Sequence, residues 1–235
     1  MAGRWDTVTV DGAKMRCYVT VPEGRGPFPA VVVIQHAGGV DEFVRTMTDR
    51  IAEAGFAGIA PDLYHRGDPN SSDDALTRMG RLRDANIVRD AQAAIAHLGT
   101  LSNVRSDRIG ITGFCMGGRV AYLITTHSPE LKAAVIFYGG NIMRPWGEDP
   151  APFDLSERIQ CPVLGLFGEE DGNPSPADVA KIDAELNRLG KPHEFHSYAG
   201  AGHAFMNEGR PSHRPEAADD AWRKCIAWFD RFLKQ

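Results

Sequence analysis

The segment Gly113-Phe114-Cys115-Met116-Gly117 places a thiol between two glycines, each two positions away. That spacing suits a sharp turn from a strand into a helix, with the central side chain held clear of the backbone for attack. The turn strains its central residue. The flanking residues come close to the turn, so glycine at 113 and 117 avoids a clash. The helix start also aims backbone N–H groups at the spot where an oxyanion would form. A free thiol with a pKa of about 8.5 is only a few per cent thiolate at neutral pH. A helix terminus supplies about 0.3–1 kcal/mol, less than one pKa unit. A nucleophilic thiol here therefore needs a base. The competing interpretation of Cys115 is a structural cysteine packed beside a glycine-rich helix start.

Two further residues suit the roles of base and orienter. His203 stands in Gly200-Ala201-Gly202-His203-Ala204-Phe205, where glycines let the backbone bring an imidazole to a sheet edge. Asp171 stands in Gly168-Glu169-Glu170-Asp171-Gly172, and Glu169 and Glu170 are rivals for its role. Near the start of the chain, Gln35-His36-Ala37-Gly38-Gly39 is a glycine-rich loop after an apolar run. Backbone N–H groups of Ala37 and Met116 are the candidate oxyanion donors. Two roles are open to His36: lining the pocket, or holding the loop through hydrogen bonds. Tyr64, Tyr138 and Trp146 are candidate pocket-lining residues and equally candidates for ordinary packing.

These groups need a scaffold that brings distant strand ends together. Residues 30–34 form a continuous apolar run of the kind buried on both faces of a parallel sheet. Similar runs recur at 57–60, 109–112, 133–138 and 163–167, and a last strand fits 193–198. Asp11-Gly12 predicts a leading hairpin between residues 7–10 and 15–21. Helical spacing marks 43–54, about 74–98, 118–126, 177–189 and 217–233. Alternating strands and helices predict one α/β domain over residues 1–235, a mixed sheet with helices on both faces. Residues 65–73 and 139–157 read as long loops, which in such folds often cover a site.

With those motifs in place, the chain resembles the dienelactone hydrolase family over residues 30–233. The resemblance is carried by Gly113-Phe114-Cys115-Met116-Gly117-Gly118, Pro61-Asp62-Leu63-Tyr64, Asp171 and Gly202-His203-Ala204-Phe205. Cysteine in the turn is its most specific part. The resemblance implies an α/β-hydrolase fold with an eight-stranded, mainly parallel sheet and a Cys115–His203–Asp171 triad. It also implies hydrolysis of small lactones or esters, with no metal or organic cofactor. The order nucleophile, acid, histidine agrees with that fold. Two positions depart from the best-known members. His36 stands where they have a glutamate, and Asn207 where they have an arginine for the substrate carboxylate. His36, Tyr64 and Asn207 are the expected substrate-binding residues. Alternatives are a general carboxylesterase or thioesterase, or a non-catalytic redox-sensing module in which Cys115 is oxidised.

Composition narrows the rest. A net charge of -5 with mixed signs leaves no basic stripe for nucleic acid. The apolar runs are too short to span a bilayer, and residues 1–6 show no apolar leader. Cys17, Cys115, Cys161 and Cys225 form no close pair of the CxxC type. A small-molecule substrate, a cytoplasmic setting and a monomer or small homo-oligomer are the expectations.

Overall fold

The computed structural model describes residues 3–68 and 71–235. Residues 1 and 2 of the N-terminal segment, and 69 and 70 of the predicted 65–73 loop, lie outside them. Eight strands form one sheet in the order β1-β2-β4-β3-β5-β6-β7-β8. β1 (Arg4–Val10) and β2 (Ala13–Thr20) form the antiparallel hairpin predicted from Asp11-Gly12, and β2 pairs antiparallel with β4 (Ala57–Pro61). The other pairings, among β4, β3 (Phe28–Ile34), β5 (Val104–Phe114), β6 (Ala133–Phe137), β7 (Val163–Gly168) and β8 (His193–Tyr198), are parallel.

The apolar runs are continuous because successive side chains enter two different cores. In β3, Ala30, Val32 and Ile34 pack on one face with helices α3 (Asp84–Leu98), α4 (Met116–Thr125) and α5 (Pro176–Arg188). Val31 and Val33 pack on the other with α1 (Glu42–Glu53) and α6 (Pro215–Leu233). Every residue of α4 is buried, as expected of a helix that is apolar around nearly its whole circumference.

The single helix predicted for 74–98 is two. α2 spans Ala75–Gly80, and α3 begins at Asp84 after Arg83 adopts an extended backbone. The break is tertiary in origin: Asp84 N–H donates to the Trp146 carbonyl at 2.7 Å, and its carboxylate binds Arg119. β6 stops one residue short of the predicted end because Tyr138 takes φ +37. The long segment predicted for 139–157 ends in a short 3-10 helix, Pro152–Arg158. Among the described residues no helix is long and apolar enough to cross a membrane.

Candidate active site

β5 runs into Cys115 and α4 leaves it, and Cys115 adopts φ 59, ψ −120. A non-glycine residue in that region stores about 1–3 kcal/mol of strain. The neighbours show why glycine is required at 113 and 117. A Cβ on Gly113 would lie 2.1 Å from the Gly117 carbonyl oxygen, and one on Gly117 2.3 Å from that of Ile34. Phe114 stacks on Phe137 and meets the edge of Phe43, which fixes the strand end. Cys115 N–H donates to the Phe137 carbonyl at 3.1 Å.

Asp171 follows β7 and His203 follows β8, so two neighbouring strand ends bring them together. His203 Nδ1 donates to Asp171 Oδ2 at 2.8 Å, and the other Asp171 oxygen accepts the Asn173 N–H at 2.8 Å. The Asp171 side chain is 1% exposed and that of His203 37%. Glu169 and Glu170 are exposed, and their backbone N–H groups serve the loop. Burial alone would lower the His203 pKa. The hydrogen bond to Asp171 and the influence of the neighbouring Cys115 outweigh that and raise it to about 10. The buried ring of Tyr138 packs edge-on against the imidazole, with centroids 5.2 Å apart.

The loop after β3 closes on itself through Gly39 N–H to the His36 carbonyl at 3.0 Å. His36 Nε2 pairs with Asp41 Oδ2 at 2.7 Å, and Asp41 Oδ1 caps α1 by accepting the Val44 N–H. Burial alone would raise the Asp41 pKa. The bonds from His36 and Val44 hold it below the usual carboxylate range. Of the two roles open to His36, the contacts are those of holding the loop. Among the described residues no acceptor takes the N–H of Ala37 or of Met116. Tyr64 O–H donates to the Ala37 carbonyl at 2.9 Å. A cavity of about 650 Å³ opens beside this loop, with Gly38, Gly39, Tyr64 and Arg78 among its walls.

Asn207 is used differently from the sequence expectation. Its Oδ1 accepts the Gly209 N–H at 3.0 Å, so the side chain closes its own turn. Trp146 stacks on the Arg119 guanidinium at 3.9 Å. Arg119 is a residue that motif reading passed over. It makes a bidentate, fully buried pair with Asp84 at 2.6 and 2.8 Å and also donates to the Arg144 carbonyl. The available signal was a lone charge inside the otherwise apolar stretch Met116–Thr125. Among the described residues no three His, Cys, Asp or Glu side chains converge in a way that could hold a metal ion.

The family model for the dienelactone hydrolase family matches residues 15–233. A Methylorubrum extorquens protein named "Putative carboxymethylenebutenolidase" is 35% identical over 225 residues, covering 92% of this chain and 76% of its own length. An Escherichia coli K12 protein of the same name is 33% identical, covering 96% and 86%. A Klebsiella pneumoniae crystal structure described as "Putative Dienelactone Hydrolase" superimposes with TM-score 0.92 at 33% identity, covering 98% of this chain and 99% of that one. A match over nearly the whole chain, on the same eight-stranded sheet, places this protein in the dienelactone hydrolase family of α/β hydrolases.

Proposed function

We propose that the protein hydrolyses small lactones and carboxylic esters, with Cys115 as nucleophile, His203 as base and acid, and Asp171 as orienter. Its main support is the 2.8 Å bond from His203 Nδ1 to a buried Asp171, with Cys115 in its strained turn near enough to raise the imidazole pKa. His203, which keeps a proton up to about pH 10, takes or holds the proton of Cys115, and sulfur adds to the substrate carbonyl carbon. The carbonyl π pair moves to oxygen, where the Ala37 and Met116 N–H groups stabilise it. Collapse expels the alcohol oxygen, which takes the proton from His203. In a lactone that oxygen stays attached to the acyl chain. Water, deprotonated by His203, then cleaves the thioester and restores the thiol. Membership in a hydrolase family removes the non-catalytic, redox-sensing alternative.

The test is turnover of short aryl esters and of five-membered lactones by the purified protein. Cys115→Ala is expected to abolish both, and undiminished turnover by that variant would sink the proposal. The ratio of kcat/KM for lactone and open-chain ester separates a lactonase from a general esterase.

A further inference from the structure

Tyr64 stands between the two segments that carry the proposed oxyanion donors. Its hydroxyl donates to the Ala37 carbonyl at 2.9 Å and lies 3.6 Å from Met116 Sδ. We propose that Tyr64 is a positioning residue that, through the Ala37 carbonyl, sets the direction of the Ala37 N–H. This rests on the assignment of Cys115 as nucleophile.

The peptide that carries the Ala37 N–H has its carbonyl on His36, and that carbonyl accepts the Gly39 N–H at 3.0 Å. In a trans peptide the C=O and N–H point to opposite sides, so the Ala37 N–H faces out of the turn. The next peptide presents the Ala37 carbonyl, which Tyr64 holds. Two consecutive peptide planes are thus pinned, the first within the loop by Gly39 and the second from outside by Tyr64. The pair of His36 with Asp41 holds the peptide before Ala37, but after it come Gly38 and Gly39, and Gly39 sits at φ +92, a region open mainly to glycine, so the second pin restrains the freest part of the loop.

Tyr64 is itself well held. The preceding Leu63 N–H donates to Gln35 Oε1 at 3.1 Å, and Tyr64 N–H donates to Asp62 Oδ1 at 3.0 Å. The Arg78 guanidinium lies over its ring at 4.8 Å. Burial pushes its hydroxyl up to about 12, against the pull of Arg78, so it stays protonated and donating across the working pH range. This is a different role from the pocket lining expected of Tyr64 from sequence. The oxygen gains full negative charge only after sulfur adds, so a misdirected N–H penalises the transition state more than substrate binding.

The test is Tyr64→Phe, which removes one half-buried hydroxyl. Expected is a fall in kcat for p-nitrophenyl acetate of about 10- to 100-fold with KM nearly unchanged. A trifluoromethyl ketone, which adds to the thiol and places an oxyanion in the same hole, is expected to bind more weakly by a similar factor. Alkylation of Cys115 by iodoacetamide forms no oxyanion and is expected to keep its rate, which also reports an intact site. A parallel loss of alkylation rate would reduce Tyr64 to a structural role and overturn the proposal. Cys115-dependent turnover that Tyr64→Phe leaves unchanged overturns the role of Tyr64 alone. Turnover that survives Cys115→Ala overturns the nucleophile assignment and this proposal with it.

Discussion

Gly117→Ala tests whether the nucleophile turn and the oxyanion loop share one close backbone contact. A Cβ at 117 would stand 2.3 Å from the Ile34 carbonyl oxygen and 2.7 Å from that of Gln35, where ordinary contact begins near 3.4 Å. Both obstacles are backbone, so no rotamer change relieves them. Either the end of β3 or the start of α4 must move by about 1 Å, which in a positioned site costs about 100-fold in rate. One candidate donor follows Gln35 by two residues and the other precedes Gly117 directly, so either movement spoils the hole. For stability, alanine gains about 1 kcal/mol over glycine within a helix, while forcing a methyl into packed surroundings costs about 1–3 kcal/mol. Overlap this deep favours the upper end, leaving a net loss of about 1–2 kcal/mol. In a chain of this length that lowers Tm by about 2–8 °C. The assays are ester turnover with active-site titration, and calorimetry. A folded variant with kcat within about threefold of the parent would refute the shared-contact argument.

Breaking the buried Arg119–Asp84 pair with Asp84→Asn is expected to cost about 3–5 kcal/mol, because it strands a guanidinium. Calorimetry should then show Tm lower by about 6–20 °C, with much of the loss recovered when Arg119→Met is combined with Asp84→Leu. The pKa of His203 is raised in the folded chain, from an ordinary value near 6.5 to about 10. Its contribution to stability is therefore full below about pH 6.5 and is lost as pH rises toward 10. The Tm difference between parent and His203→Gln, followed by melts across that window, should shrink as pH rises, and a difference that grows would contradict the assignment. Finally, Arg78 lines the cavity beside the oxyanion loop, whereas Asn207 is committed to its own turn. Arg78→Ala should raise KM at least about tenfold for lactones bearing a free carboxylate, on the scale of one charge-assisted hydrogen bond. Neutral esters should keep their KM and lose only the kcat that Arg78 supports by steadying the Tyr64 ring, and Asn207→Ala should leave both substrates within about twofold.

The parts legible in sequence are those whose cause is local. The glycines at 113 and 117 announce a turn because the chain must pass within a few ångströms of itself there. The strands at 30–34 and 163–167 announce burial on two faces because no polar residue interrupts them. Asp171 and His203 follow the ends of β7 and β8, which are neighbours in the sheet, and the chain order of nucleophile, acid and histidine had already suggested that they meet. The break at 81–83 had no local sign, since its cause is the Trp146 backbone 62 residues away. The bond that Asn207 Oδ1 accepts from the Gly209 N–H was also beyond a position carried over from relatives, which says nothing of local turn contacts.

The same distinction separates the proposed nucleophile from the proposed oxyanion hole. Cys115 is held by the residues on either side of it, so a pentapeptide locates it. The Ala37 N–H is directed by contacts from Gly39 and from Tyr64, the latter 27 residues on, and its loop is wedged against Gly117. A chain could keep the pentapeptide and lose the hole by changing Tyr64 alone. It follows that the thiol's reactivity toward alkylating agents and its power to hydrolyse esters are separable properties of this fold, and Tyr64 is the residue at which they part.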